Sequence, residues 1–185
     1  MTRVVPVFRL LASLCVLVVL TACTADHVAK LFRFTDTVVF SATSVSGAAV
    51  STTLDGNYTL DGLQFVAGSG TVTSTTIAQG TSGTLTLAPS STSGGILVGA
   101  NAGAAIISAP VVAANQQTWS VDGTGVNGSS LNMSGSVAFN ASVTKTGAGM
   151  LTLSGNNSGT GALILTGGSL NINSSTAIGA GNFTI

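Results

Sequence analysis

Carboxylates are scarce in this 185-residue chain, and their spacing decides whether hydrolytic chemistry could be built from them. Glutamate is absent, and from residue 36 onward the acids are Asp36, Asp55, Asp61 and Asp122. A glycosidase needs two carboxyl groups that face one cleft. Asp55 and Asp61 instead flank a short turn-rich stretch, where aspartates commonly accept hydrogen bonds from turn amides. We therefore expect structural roles for this pair.

The sequence lacks the residues that nucleophilic or metal-centred catalysis needs. His27 is the only histidine, so no Ser-His-Asp triad can be assembled in residues 36–185. One histidine without a cysteine or carboxylate cluster is a poor metal ligand set, and we expect His27 to lie exposed in a tether. The two cysteines, Cys15 and Cys23, both lie near the N-terminus. We predict no enzymatic activity, no metal and no cofactor.

Two further motifs have alternative interpretations. Lys145-Thr-Gly-Ala-Gly149 superficially suggests a phosphate loop, but in that motif the lysine follows the glycines and a helix comes next. We predict a glycine-rich bend, with Lys145 solvated at its edge and a strand after it. Trp119 and Tyr58 could stack against a sugar, although we expect a core or cap role for both.

Charge and composition limit the partners and the fold class. Hydrophobic residues make up 45% of the chain and charged residues 5%, and the formal net charge is zero. A neutral protein has no field that attracts nucleic acid, so no nucleic-acid partner is expected. The 24 glycines and many Ser, Thr and Asn residues separate short apolar segments. This pattern is typical of short strands joined by tight turns.

The N-terminus has the features of a targeting segment. Arg3 and Arg9 precede the apolar run Leu10–Leu20, which is too short to span a bilayer. The sequence Leu20-Thr-Ala-Cys23 that follows resembles the lipobox of bacterial lipoproteins, which implies lipidation of Cys23. The alternative is an ordinary cleaved signal. We predict a signal segment over residues 1–23 and a tether or cap over residues 24–35.

Alternating apolar and polar residues recur at short, regular intervals after residue 36. Period-two alternation predicts strands with one buried face. The sequence also suggests an internal repeat, because Gly83-Thr-Leu-Thr-Leu87 aligns with Gly149-Met-Leu-Thr-Leu153. The offset between the two segments is compatible with three turns of a solenoid. We expect eight side chains to point inward and to be largely buried: Leu85, Leu87, Leu151, Leu153, Leu163, Leu165, Leu170 and Ile172.

The most specific segment is Ser142–Gly161, which contains Thr144-Lys-Thr-Gly-Ala-Gly149, Leu151-Thr-Leu-Ser154 and Gly155-Asn-Asn157, and which continues into Gly168-Ser-Leu170. This order resembles the repeat of autotransporter-associated β-strand proteins. Asp36-Thr-Val-Val-Phe40 and Gln117-Thr-Trp-Ser-Val121 resemble other strands of that family.

The resemblance implies an all-β fold, a parallel β-helix (β-solenoid) over residues 36–185, preceded by the N-terminal signal segment. An antiparallel sandwich is the alternative, because its turn spacing overlaps. Within a solenoid, Asn156, Asn157, Asn171 and Asn173 could form side-chain ladders along a column.

The functional expectation follows from the same resemblance. It implies a non-catalytic, extracytoplasmic surface, outer-membrane or secreted module of passenger type that contributes to adhesion. A carbohydrate-active β-helix enzyme and a non-functional fragment are the alternatives. The expected partners are a surface ligand or glycan, the membrane through a lipid on Cys23, and a second copy bound end to end. We expect the repeat domain to be incomplete at its C-terminus, with no capping coil.

Overall fold

The protein is described by a computed structural model that covers residues 16–20, 36–42, 46–68, 71–124 and 128–185. For residues 16–20, 42, 46–48 and 71 only the backbone is described. The described residues form strands, turns and bends and contain no helix, so no described helix could cross a membrane. The prediction of an all-β protein is confirmed for this part of the chain.

The largest of the three sheets has eight strands. Every second residue in most of these strands is buried, as the alternating sequence predicts. The strands in spatial order are β1 (Val16–Leu20), β2 (Thr37–Ala42), β5 (Gly62–Ala67), β8 (Gly95–Val98), β11 (Gln117–Val121), β14 (Val143–Thr146), β16 (Leu163–Leu165) and β18 (Phe183–Thr184).

The other two sheets take the remaining strands. In the six-stranded sheet the order is β17 (Ser169–Ile172), β15 (Met150–Leu153), β12 (Ser130–Met133), β9 (Ala104–Ile107), β6 (Thr71–Gln79) and β3 (Ser46–Leu54). In the four-stranded sheet the order is β13 (Val137–Phe139), β10 (Val111–Ala113), β7 (Leu85–Leu87) and β4 (Tyr58–Leu60).

The chain visits the three sheets in turn. Strands β2, β3 and β4 form a first circuit through the eight-, six- and four-stranded sheets, and β5 to β7, β8 to β10 and β11 to β13 repeat that order. The fifth circuit replaces its third strand with an isolated bridge between Ala138 and Ser158. Apart from β1 with β2, the pairings between these strands are parallel. The antiparallel sandwich is therefore wrong.

Three strands were not anticipated from the alternation. Strand β1 lies within the predicted signal segment and pairs antiparallel with β2, Leu20 opposite Val38. Strand β10 follows Pro110, and β14 occupies positions that we assigned to a bend. The prediction of a signal segment is not tested by this pairing and stays a prediction.

The circuits differ in length, so the predicted internal repeat does not hold residue by residue. Gly62 pairs with Gly95, whereas Val143 pairs with Leu163, so the circuit between the first pair is much the longer of the two. Although β8 and β16 lie three circuits apart in one sheet, Leu85 belongs to the four-stranded sheet and Leu151 to the six-stranded sheet, so these two residues are not equivalent. The likeness between their segments reflects a shared alternating pattern, and not equivalent positions in the fold.

Inward side chains stack in columns from one circuit to the next. One column in the six-stranded sheet has the register Thr52, Ile77, Ile107, Met133, Leu153, Ile172. Its middle members are buried. Stacked apolar side chains supply the main free energy of folding here, at about 25 cal/mol for each Å² of apolar surface removed from water.

The eight predicted inward residues divide according to their position along the stack. Leu85, Leu87, Leu151, Leu153 and Leu163 are buried, as predicted. In the last circuits, Leu165 and Leu170 are only partly buried and Ile172 is 47% exposed. Ile172 continues an inward column, but no described strand pairs with the far side of β17. The prediction of burial is wrong for Ile172, because a side chain at the end of a column has one neighbour rather than two.

Candidate functional site

The four aspartates of the described region lie next to strand ends, and two of them are neighbours: the backbone amide of Asp61 donates to the carbonyl oxygen of Asp36 at 2.9 Å. The side chain of Asp61 accepts a hydrogen bond from the amide of Ser90 at 2.7 Å, and that of Asp122 accepts one from the amide of Thr124 at 3.1 Å. Asp55 lies beside Gly80, where an added Cβ would collide with its carboxylate. Strand β4 separates Asp55 from Asp61. Asp122 thus makes a turn hydrogen bond, whereas Asp61 bonds to a residue of the next circuit, so the turn bonds predicted for Asp55 and Asp61 stay a prediction.

Two small cavities lie in the described region. One, of about 10 Å³, lies between Phe40, Phe65 and Ala102, and another, of about 20 Å³, between Val38, Tyr58 and Ile77. Spaces of this size hold about one water molecule. Within the described ranges there is also no group of three or more His, Cys, Asp or Glu residues that could hold a metal ion.

The aromatic residues Trp119 and Tyr58 pack against the core. Trp119 is fully buried, donates a hydrogen bond from Nε1 to Oε1 of Gln117 at 3.0 Å, and lies 6.0 Å from Phe139 between ring centroids. Tyr58 is partly buried against the same cluster. The expected core role is confirmed for Trp119, whose buried ring is not accessible to a sugar.

Gln117 is a buried polar residue that the sequence analysis did not single out. It is 1% exposed, and its Nε2 donates to the carbonyl oxygen of Asn115 at 3.1 Å. Because Gln117, Trp119 and Val121 alternate in one strand, all three point inward. The inward glutamine satisfies the indole N–H, which would otherwise be a buried donor without a partner.

Lys145 is buried, and the prediction that it lies solvated at the edge of a bend is wrong. Its side chain is 1% exposed. It belongs to β14, where Val143 and Lys145 share the inward face, opposite Trp119 on one side and Leu165 on the other. The period of two could have revealed this, because a residue two positions after the apolar Val143 must face the same way.

The Lys145 ammonium is held by backbone carbonyl oxygens. Nζ donates hydrogen bonds to the carbonyls of Thr146 at 2.7 Å, Gly147 at 3.0 Å and Gly167 at 3.1 Å. Desolvation by burial lowers the pKa of Lys145 below its ordinary value of 10.5. Gly167 belongs to the bend of the following circuit, so the ammonium links two neighbouring circuits.

The bend after Lys145 requires glycine, as the sequence predicted. Gly147 has a φ of 77°, in the left-handed region that side chains disfavour. A Cβ there would also collide with the carbonyl oxygen of Val121 in the preceding circuit. Close stacking of successive bends therefore restricts this position to glycine.

Asn157 connects neighbouring circuits in another way. Its Oδ1 accepts from the amide of Val137 at 2.7 Å, and its Nδ2 donates to the carbonyl of Ala177 at 2.5 Å. The side chain thus continues the backbone ladder of the four-stranded sheet beyond β13. The predicted asparagine ladder is wrong in detail, because Asn171 lies opposite Thr152 and Asn173 bonds to Ser154.

Two of the three large hydrophobic residues that are exposed in the described region lie towards its C-terminal end. Ile172 is 47% and Ile185 89% exposed, and Phe183 is partly buried. The free sides of β17 and β18 form the edges of two sheets there. Since the chain carries no charged residue after Lys145, this end lacks the charges that often protect sheet edges.

Cys23, the predicted lipidation site, and His27 lie outside the described residues. Comparison of the chain with protein-family models, with curated proteins and with solved structures found no match. The resemblance to autotransporter-associated repeats stays a prediction carried by the residues quoted above.

Proposed function

We propose that residues 36–185 form a parallel β-helix of the autotransporter-associated type, and that it acts as a non-catalytic structural module of a bacterial cell surface. Support for the fold comes from the chain order, in which every third strand from β2 to β15 joins the same sheet in parallel register. A rigid stack of this kind holds its outward Ser, Thr and Asn side chains in fixed rows. Such rows suit a spacer or an adhesive surface.

One observation carries the non-catalytic assignment. The side chains of Asp61 and Asp122 accept hydrogen bonds from backbone amides, and Asp61, which neighbours Asp36 on the adjacent circuit, accepts its bond from Ser90. A polysaccharide-cleaving enzyme needs acids that converge on a cleft. Abundant hydroxyl and amide groups without such a cleft favour binding or support over cleavage.

The proposed location is extracytoplasmic: the cell surface, the outer membrane or the medium. The apolar run Leu10–Leu20 followed by Cys23 supports export. A lipid on Cys23 would anchor the module to a membrane, with residues 24–35 as the tether. A surface glycan is the proposed external ligand.

Two measurements on the full chain test this function. Protease added to intact cells should degrade the protein, and the purified chain should be retained on immobilised cell-surface glycans without releasing sugar ends. Sugar release that disappears in the Asp55→Asn or Asp61→Asn variant would establish an enzyme and overturn the proposal. Protection from protease until the cells are lysed would overturn the surface location.

We also propose that the apolar C-terminal end binds a second copy of the chain. Neither of two such ends has a charged side chain, and each offers the edges of β17 and β18 beside exposed isoleucines. Sedimentation should show concentration-dependent association that Ile172→Lys abolishes and that Ser134→Lys, on an exposed site in a middle circuit, leaves unchanged. A monomer at all concentrations would contradict it.

A further inference from the structure

Lys145 is the last charged residue of the sequence, and its position in the core calls for a physical explanation. Lysine is almost never fully buried unless its charge is compensated, because transfer of an ammonium out of water is costly. The inward column around it runs from Trp119 through Lys145 to Leu165. An apolar residue would fit this column without any such cost.

The compensation comes from three oxygens that converge on one point. An ammonium has three N–H donors, and the carbonyls of Thr146, Gly147 and Gly167 lie at 2.7, 3.0 and 3.1 Å from Nζ. Thr146 ends β14 and Gly147 follows it in the bend of the fifth circuit, whereas Gly167 belongs to the bend of the sixth. Every donor is therefore used, and the three contacts bridge the two circuits.

We propose that the carbonyl oxygens of Thr146, Gly147 and Gly167 form a cation site that the Lys145 ammonium fills from within the chain. The site joins the fifth circuit to the sixth, and it accepts a free primary alkylammonium ion when the side chain of Lys145 is cut back to alanine. This proposal stands on the geometry alone and does not depend on the surface role.

The donor set selects an ammonium over a divalent metal. Calcium takes six to eight oxygen ligands, usually with carboxylates among them, whereas three neutral carbonyls match three N–H groups. The sequence supplies no carboxylate side chain after Asp122. The chemical class of the ligand is thus a primary amine in its charged form.

Chemical rescue of the full-length Lys145→Ala variant tests this site. The atoms removed, Cγ to Nζ, correspond to n-propylammonium. The variant should unfold at lower urea concentration than the wild type, and its amides in residues 163–172 should exchange faster. Added n-propylammonium should reverse both changes with a saturable dose dependence, because a ligand that binds only the folded state stabilises it.

The controls separate a cation site from simple cavity filling. Tetramethylammonium, which has no N–H donor, and 1-propanol, which has no charge, should not rescue at the same concentration. Thr144→Ala, on the outward face of the same strand, should show no response to n-propylammonium. Equal rescue by propanol, or no saturable rescue at all, would overturn the proposal.

If Lys145→Ala does not fold, reductive methylation of the wild-type chain tests whether the Lys145 amine is held by the three carbonyl oxygens. The Lys145 amine should react much more slowly in the native protein than in urea, because its three donors are engaged and it is closed to solvent. Equal rates of modification in the native and the unfolded chain would show that the amine is free.

Discussion

Trp119 and Lys145 are partners on neighbouring parallel strands, and both side chains are buried in one inward column. The indole N–H is bonded to Gln117, two positions before it in the same strand, whereas the ammonium reaches backbone carbonyls in its own bend and the next. Two polar groups are thus accommodated in a column of the core that also contains apolar side chains. Each is satisfied by atoms that the stacking of circuits brings within reach.

The first prediction concerns pH. Burial lowers the pKa of Lys145 below 10.5 in the folded chain. Between the lowered pKa and 10.5 the unfolded chain binds a proton that the folded chain has lost, so the free energy of unfolding should rise with pH across that window. Below and above it, Lys145 should contribute no pH dependence.

Urea unfolding of the wild type and of Lys145→Met, from neutral pH to above 10.5, measures this contribution. The difference between the two free energies removes the titration of other groups. A difference that stays constant, or that moves against the wild type as pH rises, would show that the ammonium is not destabilised by burial.

The second prediction concerns Asn157. Its replacement by alanine leaves the buried amide of Val137 and the buried carbonyl of Ala177 without their partners. Each unsatisfied group should cost about 1–3 kcal/mol. Asn156→Ala, at the exposed neighbouring position, should change the stability by only about 0.5 kcal/mol or less. Equal effects of the two substitutions in denaturant unfolding would argue against the bridging role.

The third prediction compares two members of one column. Leu153 is fully buried, whereas its partner Ile172 is 47% exposed. Leu153→Ala should cost about 2–5 kcal/mol, because a cavity remains inside the stack. Ile172→Ala should cost about 1 kcal/mol, since roughly half of that side chain is already in water. Calorimetry of samples dilute enough that copies do not associate measures both stabilities. A larger cost for Ile172→Ala than for Leu153→Ala would show that the column does not end at Ile172.

The fourth prediction concerns the anchor. If Cys23 carries a lipid, Cys23→Ser should move the protein from the detergent-extracted membrane fraction to the soluble fraction, because the acyl chains supply the membrane affinity. Cys15→Ser serves as the matched control and should leave the distribution unchanged. Mass spectrometry that finds an unmodified N-terminus downstream of Cys23 would refute lipidation.

Much of the fold could be predicted because strand alternation is a local signal. Leu85, Leu87 and Leu151 were placed inward from period-two spacing alone, and their burial is confirmed. The bend at Gly147 could likewise be predicted from the sequence, since few residues other than glycine tolerate its backbone conformation. The same local signal misled us when it was extended to an internal repeat, because similar strands recur in different sheets.

The candidate site was harder to predict from composition. Lys145 was expected in solvent, at the edge of a glycine-rich bend, and a charge in an apolar core is in general costly. What offsets that cost is the carbonyl of Gly167, which lies in the next circuit. Asn157 was recognised as a ladder residue, but its partners, Val137 and Ala177, belong to the circuits before and after its own.

The sequence by itself determined the all-β class, the inward and outward faces of most strands, and the glycine bends, because each depends on residues adjacent in the chain. Only the tertiary structure decided which strands share a sheet, how long each circuit is, and where the ammonium of Lys145 finds its oxygens. Pairing partners lie at unequal separations along the chain, since Met150 pairs with the nearby Ser169 but Gly62 with the more distant Gly95. Segments of such unequal length can be brought into register only by the packing of the whole stack.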